Sequence, residues 1–67
     1  MIVYKFSGRT IRLWTAYTKD KDGNNLPNII NDKEIKWVFI EEIECTDVEC
    51  LKEINNNGYC IHPKLTL

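Results

Sequence analysis

The sequence predicts a small α+β domain of order β-β-β-α-β, an antiparallel or mixed sheet with one helix packed on one face. Three observations predict it. Apolar residues alternate with period two near the start of the chain, again over 34–44, and again from Tyr59 onward. A single stretch, 46–57, has helical spacing between a capping signal and a glycine. The chain has 67 residues, enough for one domain and one modest core. At 43% hydrophobic and 28% charged residues, the composition favours folding over disorder.

The opening reads as a hairpin. A two-residue Ser7-Gly8 loop would pair Phe6 with Arg9, Tyr4 with Ile11 and Ile2 with Leu13. Ile2, Tyr4, Phe6, Ile11 and Leu13 would then face the helix, while Val3, Lys5, Thr10, Arg12 and Trp14 face outward, because a one-residue slip exchanges the faces. Residues 18–33 are polar, with a turn at Asp22-Gly23 and with Leu26, Ile29 and Ile30 placed to pin the segment to the core. A helical turn after Pro27 or an extension of the second hairpin would keep this stretch from being one long loop.

Residues 34–44 look like the central strand. Ile35, Trp37, Phe39 and Ile43 share one face, and Lys36, Val38, Ile40, Glu42 and Glu44 share the other. In 46–57, Thr46 as N-cap with Glu49 forms a capping box, and Val48, Leu51 and Ile54 form the apolar stripe. Thr46→Ala should then cost about 1 kcal/mol. Gly58 is the natural residue after the helix end. In the tail Tyr59, Ile61, Leu65 and Leu67 alternate with Cys60, His62, Lys64 and Thr66, and Pro63 confines the strand to an edge.

Chemistry-bearing residues are few. Cys45, Cys50, Cys60 and His62 have the spacing C-x4-C-x9-C-x-H, a thiolate and imidazole set that a tetrahedral zinc ion accepts. With Thr46 as N-cap, however, Cys45 and Cys50 take the two positions of a hydrophobic staple. That explains two of the four without metal, so no metal is favoured and no cofactor is expected. Cys60 and His62 as nucleophile and base lack an orienting third group and an oxyanion donor, so the chain reads as non-enzymatic. Asp20, Asp22 and Asn24 alternate as in calcium loops, but the sixth and twelfth positions hold Asn25 and Asn31 instead of Gly and Glu.

The net charge of −1 conceals two opposite segments. Residues 1–19 carry Lys5, Arg9, Arg12 and Lys19 with no acid, whereas Glu41, Glu42, Glu44, Asp47 and Glu49 form an acidic flank. A solvated strand end and helix-dipole acids account for that flank, which could also meet a basic partner. Because one helix covers one sheet face, Val3, Lys5, Arg12, Trp14, Lys36, Val38 and Ile40 are expected on an outer face. That face meets a partner unless the 18–33 loop folds over it. With Trp14 at its centre, Trp14→Ala should weaken association more than stability.

The function expected from these features is a protein-binding module, self-associating or docked on a larger protein. Inhibitors of the phage and mobile-element type, including anti-CRISPR and other anti-defence proteins, share its size class and its lack of catalytic motifs. One alternative is nucleic-acid binding by the basic hairpin, with Trp14 or Tyr17 stacking on a base, although a pI near 5.7 argues against it. Another alternative is a small zinc module. No membrane partner is expected, since runs such as Trp37–Ile40 are too short to span a bilayer. The start of the chain lacks the features of a signal peptide, which with three cysteines points to a reducing cytoplasm.

Overall fold

The computed structural model describes residues 1–9, 13–30 and 32–62. Their elements are β1 (Ile2–Arg9), β2 (Leu13–Thr18), β3 (Ile29–Ile30), β4 (Lys33–Glu34), β5 (Lys36–Glu44), α1 (Val48–Asn57) and β6 (Tyr59–His62). Four strands form one antiparallel sheet of order β5-β1-β2-β6, and β3 and β4 form a separate two-stranded ribbon. This is the expected α+β domain. Two features of the order differ from expectation. The first hairpin occupies the centre, and β5 is an edge strand instead of the central one.

The hairpin register also differs. Phe6 stands opposite Ala16, Gly8 opposite Trp14 and Arg9 opposite Leu13, so Ser7 and Gly8 lie within β1 and make no turn. Residues directly opposite share a face. Tyr4, Phe6, Gly8, Trp14, Ala16 and Thr18 therefore line one face, and Val3, Lys5, Ser7, Thr15 and Tyr17 line the other. Ile11 and Arg12 lie outside the described residues.

Each face has its own core. On the first, Phe6, Trp14, Ala16 and Ile61 meet Leu26, Ile30 and Ile35 from the connection between β2 and β5. On the second, Val3 and Cys60 meet Cys45 and the helix residues Cys50 and Ile54. The connection thus folds over the sheet face opposite the helix. Leu26 and Ile30 pin it as expected, while Ile29 is exposed. The Trp37 indole donates to the Pro27 carbonyl at 2.8 Å and fastens this cover to β5.

Asp20 organises the turn below it. Its carboxylate accepts from the backbone N–H of Asp22 and of Asn24, each at 2.9 Å, in an Asx-type turn. Those oxygens serve the loop's own amides. Gly23, at φ 69°, takes the left-handed turn conformation.

A bulge between Lys5 and Phe6 shifts the β5 register. Phe39 pairs with Phe6 and Glu41 with Lys5, leaving Ile40 as the extra residue. The bulge moves Ile43 to the helix side, beside Val3, whereas strict alternation keeps it with Trp37 and Phe39.

Asp47, one residue later than expected, is the N-cap of α1. Its carboxylate accepts from the N–H of Glu49 at 3.0 Å and of Cys50 at 3.4 Å. The shift puts Thr46 and Leu51 at the staple positions, so Cys45 and Cys50 are not a staple. Around the helix Cys50 and Ile54 are buried, whereas Val48, expected in the apolar stripe, is exposed. Asp47→Ala is expected to cost about 1 kcal/mol in urea unfolding. Thr46→Ala should cost much less, and the reverse ranking would relocate the cap. Gly58 ends the helix in the left-handed conformation, φ 90°, as its position suggested.

Candidate functional site

Two regions concentrate chemistry or exposed apolar surface. The first lies where the chain leaves β5, crosses on α1 and returns as β6. Cys45 follows β5, Cys50 lies in the first turn of α1, and Cys60 and His62 sit two apart on β6 with one orientation. The ligand atoms of Cys50, Cys60 and His62 all lie within 4.8 Å of one another. Cys60 Sγ is 3.4 Å from His62 Nε2. Cys45 belongs to the same buried cluster, and a cleft of about 220 Å³ is bordered by Cys45, Cys50 and His62. All three cysteines are free thiols and buried, whereas His62 is partly exposed. The Tyr17 ring stands edge-on to the imidazole, with centroids 6.0 Å apart.

The electrostatics of this group follow from burial. Desolvation pushes the Cys50 thiol up to about 11, with the Cys60 hydrogen bond acting in the other direction. Desolvation also raises Cys60, reinforced by hydrogen bonding to Cys50 and Glu53. Tyr17 is raised by burial and by the three thiols facing it. A cysteine nucleophile needs a lowered pKa and access to substrate. Cys60 has a raised one and is 1% exposed, which weighs against the Cys60–His62 catalytic pair.

The second region is β5. It has β1 on one side and, among the described residues, no strand on the other. Val38, Phe39 and Ile40 are consecutive and 58%, 50% and 48% exposed. Lys36 and the acids Glu41, Glu42 and Glu44 flank them, all exposed. Glu44 pairs with the chain's terminal amine at 3.3 Å, and Glu41 reaches Lys5 at 4.0 Å. Asp47 and Glu49 are exposed as well, Asp47 being engaged as the helix cap. No protein family, curated protein or solved structure matches this chain. Geometry alone therefore carries the functional reading.

The partner surface read from the sequence does not assemble as one outer face. Trp14, expected at its centre, is 4% exposed under the β2–β5 connection. Val3 is 0% exposed beneath the helix, on the opposite side of the sheet. Arg12 lies outside the described residues. Lys36, Val38 and Ile40 remain exposed on β5, and half-buried Lys5 is their neighbour on β1. Two causes act: the hairpin register turns Val3 toward the helix, whereas Trp14 keeps the face away from the helix and is covered there by the connection, the alternative that the sequence left open.

The stacking residues of the nucleic-acid reading are covered as well, one on each face. Trp14 is buried, and Tyr17 is half-buried against His62. What sequence reasoning missed is Phe39, placed in the core by alternation. The β5 edge position leaves its ring half open while it packs edge-on to Phe6 at 5.6 Å.

Proposed function

We propose that this chain is a non-enzymatic protein-binding module that offers the β5 edge to a strand of another protein, a second copy of itself included. The observation that carries this reading is the run Val38-Phe39-Ile40, exposed along a nine-residue strand at the sheet edge. An edge of this kind presents unpaired backbone N–H and C=O groups together with apolar side chains, which is what strand addition uses. Among the described residues the other edge is shorter, since β6 has four residues, and α1 packs beside it.

Charge placement favours an antiparallel arrival. Lys36 stands before the apolar run, and Glu41, Glu42 and Glu44 stand after it. Two copies aligned about Phe39 set Val38 opposite Ile40 and Lys36 opposite Glu42. The Ile40 bulge twists the strand in the middle, which restricts the partners that fit. A regulator or inhibitor of a larger protein, of the kind mobile elements encode, would act through this edge.

The double substitution Val38→Lys with Ile40→Lys tests the proposal, since both side chains are exposed and lysine on an edge opposes pairing. Association, read as solution mass over a concentration series and as capture of host proteins, is expected to weaken at least tenfold. The thermal midpoint is expected to stay within a few degrees. Equal association by parent and variant, or a parent that stays monomeric and captures nothing, would overturn the reading.

A further inference from the structure

We propose that Cys45, Cys50, Cys60 and His62 form a binding site for one Zn(II) ion, independent of the β5 edge. The staple that explained Cys45 and Cys50 without metal is absent, because Asp47 caps the helix. What remains is two thiols and an imidazole, from α1 and β6, within 4.8 Å of one another, with the Cys45 thiol in the same buried cluster.

The spacing suits the ion. Tetrahedral zinc at ordinary Zn–S and Zn–N lengths holds its ligand atoms about 3.3–3.8 Å apart. Cys60 Sγ and His62 Nε2 already stand 3.4 Å apart, and Cys50 Sγ lies within 4.8 Å of both. The 4.8 Å group does not include Cys45, which supplies the fourth ligand from the end of β5, in the same buried cluster and on the border of the same cleft. The cleft bordered by Cys45, Cys50 and His62 gives the ion a route in from solvent.

Burial fits a structural site better than a catalytic one, since four protein ligands leave no open position. The Tyr17 ring against the imidazole helps to orient His62 toward the ion. On binding, three S–H bonds give their protons to solvent as three Zn–S bonds form, and the neutral imidazole supplies its Nε2 lone pair. Thiolates and imidazole together select zinc over magnesium or calcium, which prefer oxygen.

The test uses the untagged chain, purified under reducing conditions. Elemental analysis is expected to find one equivalent of zinc per chain. Titration of the metal-free chain with Co(II) is expected to give a thiolate-to-cobalt charge-transfer band and the intense visible bands of tetrahedral coordination.

His62→Asn provides the discriminating variant, because the side chain is partly exposed and its loss leaves the core in place. It is expected to weaken Zn(II) at least tenfold and to shift the Co(II) spectrum, with an unchanged far-ultraviolet circular dichroism spectrum. Cys60→Ser is expected to abolish the charge-transfer band or reduce it to that of fewer thiolates. Less than a tenth of an equivalent of zinc, with no charge-transfer band on a fully reduced chain, would overturn the site. So would a His62→Asn chain matching the parent in affinity and spectrum.

Discussion

Trp14→Ala is expected to leave most of the chain unfolded at room temperature. The indole is 4% exposed and packs among Phe6, Ala16, Leu26, Ile30, Ile35 and Ile61. Truncating a buried Trp to Ala costs about 3–5 kcal/mol, through lost transfer energy and the cavity left behind. A core in a domain of this size supplies only about 3–5 kcal/mol net. The two magnitudes are comparable, so the folded fraction should collapse. Loss of amide dispersion in a proton–nitrogen correlation spectrum, with a flat denaturant titration, would show it. A variant that unfolds cooperatively with a loss below about 1 kcal/mol would mean that Trp14 is not in the core. The result reverses the role that alternation assigned to Trp14, from partner contact to structural anchor.

Gly8 carries the second large effect. It is buried in β1 with Trp14 opposite on β2 and Trp37 opposite on β5. A Cβ there would lie 2.6 Å from the Ile35 Cγ2 methyl and 2.7 Å and 2.8 Å from two atoms of the Trp37 ring. Neither neighbour yields easily. Ile35 is itself buried, and the Trp37 indole is tied to the Pro27 carbonyl. Overpacking of this kind costs about 1–3 kcal/mol, so Gly8→Ala should lower the urea midpoint clearly. Gly8→Val should go further despite its better strand propensity. A Gly8→Val chain as stable as the parent would mean that the connection over this face is not packed as described.

The class of fold was readable because each element has a local signal. The helix has Asp47, Glu49 and Gly58 at its ends, and the strands have period-two patterns. Register was less readable, because Ser7-Gly8 satisfies turn chemistry and loop parity at once. The competing signal was a lone glycine inside a strand pattern, which marks close backbone or side-chain approach. Here the approach is by the Ile35 and Trp37 side chains. The site was partly readable in the same sense. Cys45, Cys50, Cys60 and His62 were singled out by spacing, but Thr46 and Asp47 are both good caps and only the folded chain chooses between them. The β5 bulge has no sequence signature of its own, so the positions of Phe39 and Ile43 could not follow from alternation.

Thr18 shows how tightly the two halves are joined. Its hydroxyl is fully buried, 2.8 Å from Asn25 Oδ1 and 3.1 Å from the Gly58 carbonyl, and it accepts from the Asp20 N–H at 3.1 Å. Asn25 Nδ2 also donates to the Gly58 carbonyl at 2.7 Å. One side chain thus links the end of β2, the covering connection and the helix terminus. Among the described residues, every buried side-chain polar atom has a partner. The hub is therefore as fully satisfied as the apolar cores around it.

The central place of the first hairpin has a consequence for biogenesis. During vectorial synthesis β1 and β2 leave the ribosome before every other strand, yet they are the strands flanked on both sides in the finished sheet. The nascent hairpin is a bare template whose two faces and two edges are completed later, one face by residues 19–35 and the other only once α1 has emerged. Until then its apolar side chains have nothing packed on them, the condition that makes partly folded chains prone to aggregate. The last strand to dock, β6, closes one flank, whereas among the described residues no strand closes the flank at β5.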